Sequence, residues 1–366
     1  MDLSTSLKKS YTKDQMTAIE ARQQAEFIAW GPVVFQVSRL MEKFGIFEML
    51  LDSDEGMTRE EIVEKSGLSD YAVKCLLDAS LCIGTVIVDV ESDRFSVTKL
   101  GWFLHNDVST RVNMSFNHDI NYKGMFNLEE SFKEGRPIGL KSFGDWPTIY
   151  EGLSQLPDQA LKSWLDFDHF YSDTSFPQAL ELIFSTYDIK ELYDVGGNTG
   201  KWALQCVDYD PNVKVTILDL PQQIAMMKEN VKGNLNSNRI SGYPINLLNP
   251  EAEFPVLEDG PDAIWMSQFL DCFSMDEIVD ILIRARKVMK PHTRLLIMET
   301  LWDRQRYPTS AFCMTMTSLY FAAMANGKSK MYNTEYLTSC IRKAGFEVEK
   351  IHDNLGMGHS IVVCKV

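Results

Sequence analysis

Leu192-Tyr-Asp194-Val-Gly196-Gly-Asn-Thr-Gly200-Lys-Trp-Ala203 runs from an apolar strand pattern through a glycine loop into a helix-forming stretch. In a doubly wound sheet, ligands sit beyond the carboxyl ends of the strands, so this loop faces a ligand site. The dinucleotide fingerprint needs glycine at its first, third and sixth positions. Counted from Gly196, the third position is Asn198, and that fingerprint fails. No Gly-Lys-Ser/Thr follows, which excludes a P-loop. Asp194 argues further against phosphate. A carboxylate where strand becomes loop repels a pyrophosphate and suits a cation.

Working outward, strands and helices alternate from residue 190 onward. The strand patterns are Glu191–Val195, Val213–Leu218, Tyr243–Leu247, Ala263–Ser267 and Arg294–Met298, with the clearest helix at Met275–Met289. This alternation predicts an α/β, Rossmann-like domain whose doubly wound sheet is mostly parallel. Phe346–His352 and Ser360–Lys365 predict an antiparallel pair at its edge. Upstream, residues 25–51 carry an apolar stripe from Ala25 to Phe47, broken at Gly31-Pro32. Thr58-Arg-Glu-Glu61 is a capping box, a second short helix starts after Ser69, and Val86–Val90 with Phe95–Thr98 form a hairpin. Three helices and a hairpin are the order of a winged helix. The expected division is a mainly helical winged-helix domain (1–105), a helical, aromatic-rich linker that lines the substrate (106–185), and the ligand-binding α/β domain (186–366).

The chain has 366 residues, enough for two or three domains. Its 45% hydrophobic and 24% charged residues are ordinary for a globular protein, which excludes intrinsic disorder. No run reaches the ~18 apolar residues of a membrane helix, and the start shows no signal-peptide core, so a cytoplasmic protein without membrane partners is expected. Net charge is −15. Residues 25–100 hold seven Lys/Arg against fourteen Asp/Glu, the wrong balance for a nucleic-acid partner. An apolar stripe on an acidic module points to a partner subunit instead. The seven cysteines form no CxxC pair, which fits reduced thiols and no metal site.

S-adenosylmethionine carries an ammonium and a sulfonium and no phosphate, as the loop requires. Asp219 ends the next strand 23 residues after Gly196, where an acid accepts hydrogen bonds from ribose hydroxyls. Asp194-Val-Gly-Gly-Asn-Thr-Gly200 closely resembles the DxGGGxG loop of S-adenosylmethionine-dependent small-molecule O-methyltransferases. The resemblance extends over almost the whole chain. Residues 25–100 look like that family's dimerisation module, including Phe44-Gly-Ile-Phe47. Phe167-Asp-His-Phe-Tyr171-Ser-Asp-Thr-Ser175 is similar to its F-N-x-x-M-S-x-x-S segment, with Tyr171 in place of methionine. The resemblance implies a homodimer and a cofactor site formed by Asp194, Gly196, Gly197, Gly200, Asp219, Leu220, Asn246, Leu247, Ser267, Tyr171 and Ser175. Asn246 then stands where the family has an adenine-side acid. S-adenosylhomocysteine is the implied product, and a small aromatic hydroxyl compound the implied acceptor.

The base departs from the family. Its L-H-D-W-S histidine is replaced in Leu270-Asp271-Cys-Phe-Ser274, which puts Asp271 at the histidine's position. Asp271 is a candidate base, or else it only favours the N-terminus of the helix that Ser274-Met-Asp-Glu277 caps. Glu299 matches the first of the two acids that the family sets beside its histidine. The second falls near Lys330, a charge reversal. His118, His169 and His359 are alternative proton acceptors. Phe312, Met314, Met316, Leu319, Tyr320, Phe321 and Met324 lie on a helix that lines the acceptor pocket in the resembling enzymes, and core packing explains such a stripe equally well. An altered base leaves two other functions open: methylation at a ring carbon, and a non-catalytic protein that kept the cofactor pocket.

Overall fold

A computed structural model describes residues 3–366. They form two compact units, one of residues 14–120 with 162–167, the other of residues 3–13, 121–161 and 168–366. The units cut the chain differently from the expected three-part division, because the segment between 106 and 185 is shared between them.

In the first unit the expected stripe becomes three helices, Ala18–Ala29, Gly31–Lys43 and Ile46–Leu51. Pro32 is accepted at a helix start, where its missing N–H has no partner to lose, and Gly45 turns the chain at φ 68°. The stripe therefore divides. Met41, Ile46, Phe47 and Leu50 are buried with Ile62, Val73, Leu77 and Val86, whereas Ala18–Ala29 buries no residue. Thr58 and Ser69 cap the helices Arg59–Ser66 and Asp70–Ile83 as expected. The hairpin is β1 (Val86–Asp89) and β2 (Arg94–Val97), and Arg94 holds Glu61 at 3.1 Å.

The second unit is built on seven strands: β3 (Glu191–Val195), β4 (Lys214–Asp219), β5 (Ile240–Pro244), β6 (Ala263–Ser267), β7 (Arg294–Glu299), β8 (Glu347–Leu355) and β9 (His359–Lys365). Their order is β5-β4-β3-β6-β7-β9-β8. The first five are parallel, and β9 joins antiparallel to β7 and β8. One strand differs from expectation. Alternating Tyr243, Ile245 and Leu247 suggested a strand there, but the ladder to β4 runs from Ile240 to Pro244. Ile245 and Leu247 enter the core after the strand has ended.

Alternation along each strand feeds two cores. Tyr193, Val195, Ile264 and Met266 face the helices Met275–Lys287 and Thr334–Lys343, while Leu192, Ile217 and Trp265 face Phe176–Thr186 and Lys201–Tyr209. Trp265 stacks on Trp202 with ring centroids 4.4 Å apart, which seats the helix that follows the glycine loop. The five parallel strands therefore deliver their carboxyl ends, and the turns beyond them, along one edge.

Candidate active site

At the centre of that edge, the loop after β3 folds back on itself. Gly196 (φ 75°), Asn198 (φ 50°) and Gly200 (φ 80°) are left-handed, which glycine adopts without cost and asparagine tolerates. A Cβ on Gly197 would lie 2.4 Å from Asp194 Oδ2, so the loop closes tightly on a carboxylate. Asp194 is only 2% exposed and its Oδ2 has no hydrogen-bond partner. Burial first, then the neighbouring charge of Asp219, pushes its pKa up to about 8. Asp219 accepts the N–H of Asn198 at 2.8 Å and that of Leu220 at 2.7 Å, joining the loop to the next helix.

Beyond β5, Asn246 is exposed and its Oδ1 accepts the N–H of Leu248, while the Leu247 side chain is buried in the core. Ser267 ends β6 and is half-buried. Tyr171 and Ser175 are buried. Their segment is tied to the glycine loop by Lys201, whose ammonium lies 3.0 Å from His169 Nδ1 and 2.9 Å from Asp173 Oδ2. Ten of the eleven cofactor-contact candidates thus lie along this edge or on the tied segment, whereas the Leu247 side chain is turned into the core and its carbonyl accepts from Arg284. A glycine cradle with no room for a Cβ, beside a buried and unpartnered carboxylate oxygen, fits a cationic ligand approaching along the backbone.

Next to this edge, two acids meet. Glu299 closes β7, and its Oε1 accepts the N–H of Phe269 at 3.1 Å and of Leu270 at 2.9 Å. That fixes the turn Leu270–Cys272, which carries Asp271. Asp271 is 6% exposed and Glu299 5%. Burial pushes Asp271 up to about 7, with Asp168 adding its charge, and burial and Asp271 hold Glu299 well above the usual carboxylate range. Two such groups titrate as a pair. The following helix is capped by Ser274, whose Oγ accepts the N–H of Glu277 and whose own N–H reaches Glu277 Oε2 at 2.9 Å. Asp271 instead accepts from the Cys272 thiol, which receives the Tyr150 hydroxyl.

The other candidates fall elsewhere. Lys330 is exposed over the Tyr336 ring, so no charge reversal faces the acids. The inward groups of its segment are Ser329 and Met331, a pattern that the extended chain's alternation could have disclosed. His118 belongs to the first unit, where Asp119 holds it at 2.7 Å. His359 is fully buried, and desolvation takes it down to about 4. The helix Pro308–Tyr320 buries Met314 and Tyr320 but exposes Phe312 and Met316. Sequence reasoning missed Tyr150, Asp168 and Asn326. They are distant in the chain; Tyr150 and Asn326 carry no motif, and Asp168 stands at the asparagine position of the Phe167–Ser175 segment, where that likeness points to the cofactor and not to the acids. Among the described residues, no group of three or more His, Cys, Asp or Glu side chains could hold a metal ion.

A glycine loop without a phosphate site, an acid ending the second strand and an antiparallel last strand define a S-adenosylmethionine-dependent methyltransferase. Comparison with known proteins agrees. A Dimerisation2-like domain matches residues 22–95 and an O-methyltransferase domain residues 176–347. L-tyrosine C(3)-methyltransferase of Streptomyces lavendulae is 24% identical over 332 residues, 88% of this chain and 87% of that protein. Acetylserotonin O-methyltransferase of Gallus gallus is 24% identical over 286 residues, 74% and 79% of the two chains. Among solved structures, the S-adenosylmethionine-dependent methyltransferase SibL shares the fold at TM-score 0.70 and 19% identity, covering 93% of this chain and 97% of that one. Human N-acetylserotonin methyltransferase in complex with S-adenosylmethionine does so at 0.61 and 17%, covering 97% and 99%. The chain thus carries a Dimerisation2-like domain and an O-methyltransferase domain. It is an enzyme, and S-adenosylmethionine is its methyl donor.

The raised acid has a cost with a definite sign. Between about pH 4 and 7 the unfolded chain has released the Asp271 proton while the folded chain keeps it, so stability falls as pH rises through that window. At 1.36 kcal/mol per unit the full deficit is about 4 kcal/mol above pH 7. Asp271→Asn should therefore be more stable than wild type at pH 8, by about 2–4 kcal/mol, with the gain shrinking toward pH 4. Urea unfolding across that range checks it, and a variant less stable at pH 8 contradicts it.

Proposed function

We propose that the protein methylates the hydroxyl of a small aromatic molecule, with Asp271 as the base and Glu299 as its partner. The observation that carries this reading is the meeting of the two buried acids beside the edge that holds the glycine loop. Bound there, S-adenosylmethionine supplies a methyl group on a positively charged sulfur and leaves as S-adenosylhomocysteine. Asp194, Gly196, Gly197 and Gly200 would form the cradle, with Asp219 and Leu220 at the ribose, Asn246 and Leu247 at the adenine, and Ser267, Tyr171 and Ser175 closing over it.

Asp271 has to remove a proton from a phenol of pKa about 10. An ordinary aspartate at about 3.9 is some six units too weak, whereas one raised to about 7 is three units short, within reach of general-base catalysis in a dry site. Glu299 keeps its orientation through the two backbone N–H groups and sets the turn that presents Asp271. Asp168 adds its charge to the burial that raises Asp271 and so sharpens the base.

A second reading is methylation at a ring carbon ortho to a phenolate. It is supported by the match to L-tyrosine C(3)-methyltransferase along most of both chains. In that case Asp271 takes the phenolic proton, the ring carbon bonds the methyl group, the proton on that carbon leaves to solvent as the ring rearomatises to a phenolate, and Asp271 returns its proton to the phenolate oxygen.

We further infer a homodimer in the cytoplasm, with no nucleic-acid or membrane partner. Phe27, Ile28, Trp30 and Val33 are exposed along the first two helices of the N-terminal unit, which a partner subunit would cover. That unit is acidic, all seven cysteines are free, and no helix among the described residues is long and apolar enough to cross a membrane.

Three measurements test these readings. Asp219→Ala should weaken S-adenosylmethionine or S-adenosylhomocysteine binding by about 1.5–3 kcal/mol in calorimetry, the scale of hydrogen bonds to a charged group. Undiminished affinity would remove Asp219 from the site. Asp271→Ala should lower kcat by about 10²–10⁴ with cofactor affinity unchanged, and a loss under about threefold would move the base elsewhere. Product NMR in the same assay separates O- from C-methylation. In light scattering at micromolar concentration the particle should weigh twice the 41.8 kDa chain, and a monomer would count against the interface.

A further inference from the structure

The turn that carries Asp271 is held by a set of side chains to which the reaction above gives no part. Tyr150 Oη donates to Cys272 Sγ at 3.2 Å, and Cys272 Sγ donates to Asp271 Oδ1 at 3.6 Å. Both links run in one direction, from phenol to thiol to carboxylate. The turn is braced on its carbonyl side as well. Asn326 Nδ2 donates to Cys272 O at 2.9 Å and to Ser329 Oγ at 2.8 Å, and Tyr332 Oη donates to Phe273 O at 2.7 Å. Tyr150 itself stands on the single turn Ile149–Gly152, whose Ile149 is fully buried. The Trp146 ring leaves no room for a Cβ on Gly152, which would fall 2.2 Å from it.

The donors matter because of what surrounds Asp271. Burial is the largest influence on it and the Asp168 carboxyl adds repulsion, while its own charge in turn raises the Glu299 carboxyl and the Tyr332 phenol that face it. Burial and Asp168 leave the ionised carboxylate poorly supported. The donor chain works the other way, since a hydrogen bond to the charged form favours that form. The chain can act only while thiol and phenol keep their protons. Burial holds both well above their ordinary values, so at neutral pH they are S–H and O–H.

Resting on the reading of Asp271 as base, we propose that Cys272 and Tyr150 are positioning residues: an ordered donor chain that orients the Asp271 carboxylate and keeps it in the ionised form that accepts the proton. No proton passes along the chain. The acceptor's O–H bond breaks, its proton ends on Asp271, the new bond joins the acceptor oxygen to the methyl carbon, and the S–H and O–H bonds stay intact. Neither residue touches the reacting atoms in this scheme. Their effect must appear in the pH dependence.

The test is the pH profile of kcat/KM with the full-length enzyme and one phenolic acceptor, alongside calorimetry with S-adenosylhomocysteine. Cys272→Ala should move the acid limb up by about one unit, so that activity below the limb falls about tenfold and recovers at high pH. Tyr150→Phe should move it in the same direction by less, because the thiol remains. Cys272→Ser, which restores a donor of similar length, should return the limb close to its wild-type position. Cofactor affinity should be unchanged in all three, which also certifies that each variant is folded. A limb that stays in place in both Cys272→Ala and Tyr150→Phe, while Asp271→Asn abolishes it, overturns the donor chain alone. A limb that survives Asp271→Asn overturns the base assignment on which the chain rests.

Discussion

Glu299 spends its carboxylate on the backbone of a neighbouring turn. Its Oε1 accepts two successive N–H groups, from Phe269 and Leu270, and so fixes the chain as it leaves β6. Those N–H groups lie beyond the end of the β6–β7 ladder and would otherwise be buried without partners, an expensive state for backbone donors. Remove the carboxylate and nothing in the sheet dictates where Asp271 sits. The site is therefore an extension of sheet register. Because β6 and β7 pair in parallel from Ala263 opposite Arg294 to Ser267 opposite Met298, Glu299 arrives level with the turn it must hold. The same register on the other flank sets Asp194 between Ile217 and Trp265 and so aligns the glycine loop with the acids.

Much of this was legible in the sequence because it is local. Thr58, Ser69 and Ser274 announce their helices by side chain alone, and the period of the apolar residues gave β3, β6 and β7 almost residue for residue. The failure at β5 has a physical cause. Ile245 and Leu247 alternate as a strand would, but both are needed to close the core after the ladder has ended at Pro244. Burial and strand pairing leave the same mark in a sequence, and only the partner strand separates them. The stripe from Ala25 to Phe47 divided for a related reason: its C-terminal half is core and its N-terminal half is exposed, although both have the same period.

The site was legible where a motif is contiguous and opaque where it is assembled. The glycine loop and Asp219 could be picked out because they mark the ends of strands, and Asp271 because Leu270–Ser274 resembles the family's L-H-D-W-S motif. Tyr150, Asp168 and Asn326 reach the turn at Asp271 from separate parts of the chain, and no spacing connects them. The step from Ser329 to Lys330 shows how fine the limit is. One residue along an extended segment reverses the side-chain direction, so a position judged one off places a cation at a site that in fact receives a buried hydroxyl.

The exchange of histidine for aspartate becomes intelligible through the sign of desolvation. Burial disfavours whichever form is charged. For imidazole the charged form is the protonated one, so a dry environment weakens it as a base. His359, fully buried in this same unit, is taken down to about 4. For a carboxylate the charged form is the base, so a dry environment strengthens it, and Asp271 rises to about 7. A histidine in a dry site needs an adjacent acid to stay basic, whereas an aspartate needs only the burial itself and a donor to keep it ionisable. With Glu299 committed to two backbone N–H groups and Lys330 turned outward, this turn has little to offer an imidazole. It has what an aspartate needs: burial, the Asp168 charge to raise it, and a thiol aimed at one oxygen.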